Sequence, residues 1–153
     1  MKTREYIFQG KTTGKAKYDP DNFRVKSMTL QPHNSQERIK IKFSYDDEGN
    51  RIRTIAQNEF GKLRRVNDSS SPSKTSDGIW MGDMYYDFDS STNKWLNAFG
   101  LALETDSVLA NPSLIERLEK AADFISEKVR AYDRLDHYLN TTKGPDSDEW
   151  DIQ

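Results

Sequence analysis

Apolar and polar residues alternate strictly over residues 38–45, which read Arg-Ile-Lys-Ile-Lys-Phe-Ser-Tyr. This period of two predicts a half-buried antiparallel strand. The turn-forming sequence Asp-Asp-Glu-Gly follows, and residues 51–56 return as the partner strand. A four-residue loop is expected to close this hairpin, because it pairs Tyr45 with Asn50 and keeps the apolar side chains together. A five-residue loop would place Arg53 among those apolar side chains.

Weaker apolar patterns at residues 5–9, 23–30 and 79–88 predict further strands. The segment 11–21 is rich in Gly, Thr and Lys and is expected to be a loop. Residues 67–78 are rich in Ser and are expected to form a flexible loop. A short helix is expected after residue 89, ended by a glycine at position 100.

A long helix is predicted over residues 110–141, with Asn111 as its N-cap and Pro112 at its first position. A helix of roughly 28 residues would be about 42 Å long, which exceeds the expected width of the sheet. Its apolar stripe therefore either docks on the sheet or contacts a second copy in a homodimer. The candidate oligomerisation residues are Leu114, Leu118, Ile125, Tyr132, Leu135 and Leu139.

The order of strands and then a helix predicts an α+β fold. We expect an antiparallel β-sheet of about five strands, with an OB-like barrel as one form of it. The sheet would occupy a mainly β domain over residues 1–109, followed by the helix. Residues 142–153 would form a disordered acidic tail, because they carry too little apolar surface to offset the entropy of ordering.

Charge is distributed unevenly along the 153 residues, although the net charge is only −2. Residues 1–66 hold 15 Lys/Arg and 8 Asp/Glu, a net of +7, whereas residues 67–153 hold 8 and 17, a net of −9. This split indicates either a polyanionic partner or attraction between the two halves within the fold.

The basic half favours nucleic-acid binding, because the predicted hairpin would carry five cations on one face and could follow a phosphate backbone. Aromatic side chains nearby could stack on bases. The candidate residues for single-stranded nucleic acid or another anionic surface are Arg38, Lys40, Lys42, Arg51, Arg53, Lys62, Arg64, Arg65, Tyr45 and Phe60. The alternative is a protein-interaction module, such as a phage- or plasmid-type inhibitor or adaptor, that uses the helix seam and the acidic surface.

The C-terminal segment resembles the acidic tails of single-stranded-DNA-binding proteins of bacteria and phages. The residues that carry this resemblance are Asp146, Asp148, Glu149, Trp150, Asp151 and Ile152. In those families an OB-fold binds the strand and the tail recruits replication partners. The resemblance implies a protein partner for this tail, although the chain ends Asp-Ile-Gln and lacks the terminal Pro-Phe of the bacterial pattern.

Catalytic chemistry has little support in the sequence. The chain has no cysteine, which excludes thiolate nucleophiles and Cys-type zinc sites. It has only two histidines. Asp87 and Asp89 could share a strand face and hold a divalent cation, but we favour the simpler interpretation of a polar strand face that leads into a helix cap. We expect a cytoplasmic protein that is not an enzyme, has no cofactor and does not enter a membrane.

Overall fold

The computed structural model describes residues 1–8, 12–32, 36–59, 62–69, 77–139 and 150–152. Nine strands follow one another along the chain, and each pairs antiparallel with the next. They are β1 (Lys2–Phe8), β2 (Thr12–Tyr18), β3 (Val25–Gln31), β4 (Ile39–Tyr45), β5 (Arg51–Asn58), β6 (Leu63–Asp68), β7 (Asp77–Met81), β8 (Met84–Asp89) and β9 (Lys94–Leu96). A short segment, β10 (Trp150–Ile152), pairs parallel with β1.

The sheet is mostly antiparallel, as expected, but it has nine consecutive strands rather than about five. It is also open rather than an OB-like barrel: in the described residues, β9 and β10 are the two edges and do not pair with each other. The strand count was underestimated because short polar strands between turns look like loops when read alone. The predicted helix after residue 89 is wrong, since β9 and a tight turn occupy that segment.

The segment 11–21 shows this error clearly, because most of it is β2 and not a loop. Ala16 and Tyr18 are buried on the inner face, while Lys15 and Lys17 alternate with them on the outer face. The Ser-rich loop is likewise shorter than 67–78, because both ends of that range belong to β6 and β7. Residues 70–76 lie outside the described residues.

The single α-helix of the described residues, α1 (Leu114–Leu139), packs against the inner face of the sheet and contacts β2 and β3. It begins two residues after Pro112, because Asn111 instead ends a 3-10 helix at residues 108–110. No helix in the described part of the chain is long and apolar enough to cross a membrane.

The proposed oligomerisation seam lies largely inside the molecule. Leu114, Leu118 and Ile125 are 5%, 0% and 0% exposed and belong to the core shared with the sheet. Tyr132 is partly buried against the same core. The side chains of Leu135 and Leu139 lie outside the described residues. Because Leu114, Leu118 and Ile125 are buried in the core, they are not available for contact with a second copy of the chain.

The C-terminal tail is described only at residues 150–152. This segment forms β10, in which Trp150 lies opposite Tyr6 and Asp151 opposite Ile7. Asp146, Asp148 and Glu149 lie outside the described residues.

Candidate nucleic-acid interface

The hairpin of β4 and β5 contains a bulge that its sequence pattern did not reveal. Ser44 lies opposite Arg53, but the next pair is Tyr45 with Arg51, so Ile52 is an extra residue on β5. A β-bulge of this kind reverses the face on which the following residue of the strand lies. The predicted four-residue loop is therefore wrong, because five residues separate Tyr45 from Arg51, the last pair of the hairpin.

Asp46 explains why the longer loop is stable. Its carboxylate accepts hydrogen bonds from the backbone N–H groups of Asn50 at 2.8 Å and Glu48 at 3.0 Å. These hydrogen bonds, above all the one from Asn50, hold the pKa of Asp46 below its ordinary value. Gly49 completes the turn with a φ of +91°, a conformation that favours glycine.

Arg51 faces the inner side of the sheet as a result of the bulge, and not the basic outer face. Its guanidinium donates to Glu119 at 3.3 Å and to Asp123 at 2.5 Å, both on α1. It also lies over the ring of Phe43, 5.1 Å from the centroid. Burial lowers the pKa of Arg51, but the hydrogen bond to Asp123 and the neighbouring Tyr45 raise it more, so the net shift is upward. Arg51 therefore attaches the helix to the sheet.

Tyr45 also leaves the candidate interface. Its hydroxyl donates a 2.7 Å hydrogen bond to the carbonyl of Val25, and its ring lies within 5.0–5.8 Å of Lys26, Arg51 and Arg24. Burial raises the pKa of the Tyr45 phenol above its ordinary value. The ring is packed at the edge of the core, where a base could not stack on it.

Arg65 is fully buried, and its donors are used within the protein. It forms a two-pronged ion pair with Asp77, with both N···O distances 2.7 Å. It also donates to three carbonyls that precede α1, those of Leu109, Asn111 and Pro112, at 2.8, 2.8 and 3.2 Å. Its five N–H donors are thus all engaged. Predicting Arg65 as a surface contact was wrong, because its side chain is 0% exposed.

The outer face of the sheet gathers four lysines that the sequence did not group. Lys15 lies across Thr29 from Lys40, and Lys17 lies across Ser27 from Lys42. Each row crosses β2, β3 and β4, so the backbones of Lys15 and Lys40, and those of Lys17 and Lys42, are two strands or about 10 Å apart. The two rows are about 7 Å apart along the strands. All four side chains are exposed. We call this set the lysine rectangle.

The first row of the rectangle continues across the sheet. Lys40 lies opposite Gln57, Gln57 opposite Arg64, Arg64 opposite Trp80, and Trp80 opposite Tyr85. Arg64 is exposed, whereas its neighbour Arg65 points inward. Alternate strands therefore place Lys15, Lys40 and Arg64 in one line that ends at two aromatic rings.

The aromatic end of this row is a packed pair. The centroids of Trp80 and Tyr85 are 5.0 Å apart, and the rings are inclined at 50°. Tyr85 lies across Gly78, where any Cβ would collide with its ring. Gly78 thus provides the close approach that sets the position of Tyr85. Ile55 and Val66 also face outward and are half-buried, so this side of the outer face is largely apolar.

The remaining predicted contacts are divided between the surface and the undescribed residues. Arg38 and Lys62 are exposed, next to the ends of β4 and β6. Arg53 is on the outer face but forms a 3.0 Å ion pair with Asp68. Phe60 lies outside the described residues. In the described part of the chain, Lys40, Lys42 and Arg64 form no ion pair.

Sequence reasoning missed Lys15, Lys17, Ser27 and Tyr85 as members of one surface. The alternation in β2 was a usable signal for the two lysines, but only the pairing of β2 with β3 brings them beside β4. Comparison with protein families, curated proteins and solved structures finds no match to this chain.

Proposed function

We propose that this protein binds single-stranded nucleic acid on the outer face of its sheet. The observation that supports the proposal is the line formed by Lys15, Lys40 and Arg64, which leads to the rings of Trp80 and Tyr85. Exposed cations bind phosphates, and aromatic faces stack on unpaired bases. A single strand exposes both groups at once, whereas a duplex hides its base faces.

The charges on the rest of the molecule support this orientation. Three other cations are neutralised by partners within the protein, because Arg51, Arg53 and Arg65 form ion pairs with acids from the second half of the chain. The lysine rectangle and Arg64 place five exposed cations on the outer face. The uneven charge of the sequence therefore fits both of its interpretations, with three arginines in ion pairs within the protein and the lysine rectangle on the outer face.

Fluorescence anisotropy with a labelled 30-nucleotide single strand tests the proposal on the full chain. If five cations neutralise phosphates, log affinity falls with log salt with a slope of about −3.5, or about 100-fold between 50 and 200 mM salt. The variant Lys40→Glu/Lys42→Glu should lose most of this affinity at low salt. Its slope should be shallower by about 1.4.

A matched control separates the site from net charge. Lys120→Glu/Lys128→Glu makes the same change in net charge at two exposed positions on α1. It should bind the single strand nearly as well as the unmodified protein. Equal losses in the two variants, or no binding at 50 mM salt by a folded protein, would refute the proposal.

A protein-interaction module is the second candidate function, and one observation favours it. Phe99 and Leu101 are 77% and 63% exposed at the tip of a turn after β9. The turn is firmly built, because the Asn97 side chain accepts hydrogen bonds from both backbone N–H groups at 3.0 Å. Under this alternative, Phe99→Ser/Leu101→Ser should abolish binding to the protein partner, whereas Lys40→Glu/Lys42→Glu should barely alter it.

A further inference from the structure

A cleft of about 470 Å³ opens beside the aromatic end of the cation row. This volume is within the range of roughly 300–1,000 Å³ that small-molecule sites occupy. Its walls come from β8, from the end of β9 and from the turn that follows. The lining residues are Met84, Tyr85, Asp87, Phe88, Asp89, Leu96, Asn97 and Ala98.

The two acids that line the cleft differ in their hydrogen bonding. Asp89 accepts a 2.6 Å hydrogen bond from the hydroxyl of Thr92 in the adjoining turn. Asp87 has a buried Oδ1 that accepts no hydrogen bond from the described residues. A buried carboxylate oxygen without a donor is costly, because it loses water and gains no partner. Oδ1 itself is out of reach of a ligand, so the other carboxylate oxygen of Asp87, on a residue that lines the cleft, would accept an N–H group that the chain does not supply.

The charges around the cleft define which part of a nucleic acid could enter it. Tyr85 belongs both to the cation row and to the cleft, so a strand that follows the row reaches the opening. Phosphates are repelled by Asp87 and Asp89 and remain on the cations. Apolar walls such as Met84 and Leu96 accommodate a flat ring. The cleft therefore fits an unpaired base.

We propose that this cleft is a nucleobase subsite in which Asp87 selects bases that carry an exocyclic amino group. Carboxylates accept hydrogen bonds from the N4 amino group of cytosine. Thymine presents a carbonyl oxygen at the equivalent position, which a carboxylate repels. This inference rests on the proposed function, since the strand brings its base to the cleft along the row of Lys40 and Arg64.

Binding of labelled dC12 and dT12 to the full chain, measured by anisotropy at 50 mM salt, tests the subsite. Cytosine should be preferred about tenfold, within the range of one good contact between a side chain and a base. Asp87→Asn should reduce the preference below about twofold, because an amide also donates to thymine, and should leave the salt slope unchanged. Asp83→Asn is the matched control, because it makes the same change in charge at an exposed position before β8 that does not line the cleft, and it should retain the preference.

Free nucleosides test the cleft without the phosphates. Cytidine should quench the fluorescence of Trp80, which lies 5.0 Å from Tyr85, more strongly than thymidine does. The variant Trp80→Phe identifies the signal that comes from this residue among the three tryptophans.

The outcomes distinguish the subsite from the proposed function. Salt-dependent strand binding with equal affinity for dC12 and dT12 overturns the subsite alone. Quenching by cytidine without any strand binding overturns the proposed function alone and supports the cleft. A cytosine preference that survives in Asp87→Asn overturns the role of that carboxylate. Absence of both strand binding and quenching overturns both.

Discussion

Replacing Arg65 by alanine should destabilise the protein strongly without touching its outer face. The guanidinium is fully buried and joins Asp77 of β7 to the carbonyls that precede α1. It also lies 4.5 Å from the ring centroid of Trp95. Its loss would separate the start of the helix from the middle of the sheet.

The magnitude follows from which groups are left without partners. Breaking a buried ion pair by removing one partner costs about 3–5 kcal/mol. Asp77 is 33% exposed and can regain water, so the lower end of that range applies. A loss of about 3 kcal/mol corresponds to a fall in Tm of roughly 6–12 °C for a chain of this size.

Urea unfolding followed by tryptophan fluorescence measures this loss, because Trp95 is 5% exposed and stacks on Arg65. Arg64→Ala is the matched control, since Arg64 is the adjacent residue and points outward. It should change the free energy of unfolding by less than about 0.5 kcal/mol and should instead weaken single-strand binding.

Arg65→Lys provides an intermediate case. Lysine keeps the charge but cannot form the two-pronged pair with Asp77 or reach all three carbonyls. A destabilisation between those of the unmodified protein and Arg65→Ala is expected. A loss of less than about 1 kcal/mol in Arg65→Ala would refute the reasoning, because it is below the cost of even one or two unsatisfied buried groups.

Three further predictions concern the phenol, the glycine and the core. Because burial raises the pKa of Tyr45, the folded protein holds this proton to higher pH than the unfolded chain does, so stability falls as pH rises above about 10. Urea titrations should show a shallower fall in Tyr45→Phe, and identical slopes would contradict this. Gly78→Ala should cost about 1–3 kcal/mol by displacing Tyr85, and it should weaken strand binding; an unchanged urea midpoint would count against the contact. Leu118→Ala should cost about 2–5 kcal/mol, whereas Phe99→Ala, at a position 77% exposed, should cost under about 0.5 kcal/mol; thermal melts of the pair with similar Tm would contradict the assigned burial.

The alternation of apolar residues predicted the faces of several strands correctly. Ile39, Ile41 and Phe43 are buried at 0%, 0% and 4%, while Lys40 and Lys42 between them are exposed. Alternation is local, and a sheet with one buried face imposes it on every strand. The long helix was predictable for the same reason, since its apolar stripe is present in the sequence before any tertiary contact forms.

The bulge at Ile52 was not predictable from the strand patterns. It depends on the five-residue turn closed by Asp46 and on the acids of α1 that receive Arg51, which is 68 residues from Glu119. Alternation alone assigned Arg51 to the basic face. A contact so distant in sequence has no local signature, so the error is one of tertiary context.

The burial of Arg65, unlike that of Arg51, could have been predicted from the sequence. Leu63 and Arg65 are two residues apart in one strand, so period-two alternation places them on the same face. Leu63 is 4% exposed, and that face is the core. Arg65 was assigned to the surface because of its positive charge. Arginine is nevertheless well suited to buried sites with several carbonyl and carboxylate acceptors.

Arginine and lysine have different roles in this protein, and the difference connects the fold to the proposed function. Arg51 and Arg65 hold the helix and the segment before it onto the sheet, and their planar guanidinium groups suit several fixed acceptors at once. The outer rectangle is made of lysines, whose flexible ammonium groups act as point charges that do not require one acceptor geometry. Such charges suit phosphates whose positions vary with the path of a single strand. The acidic second half of the chain therefore compensates the arginines inside the fold and leaves the lysines outside.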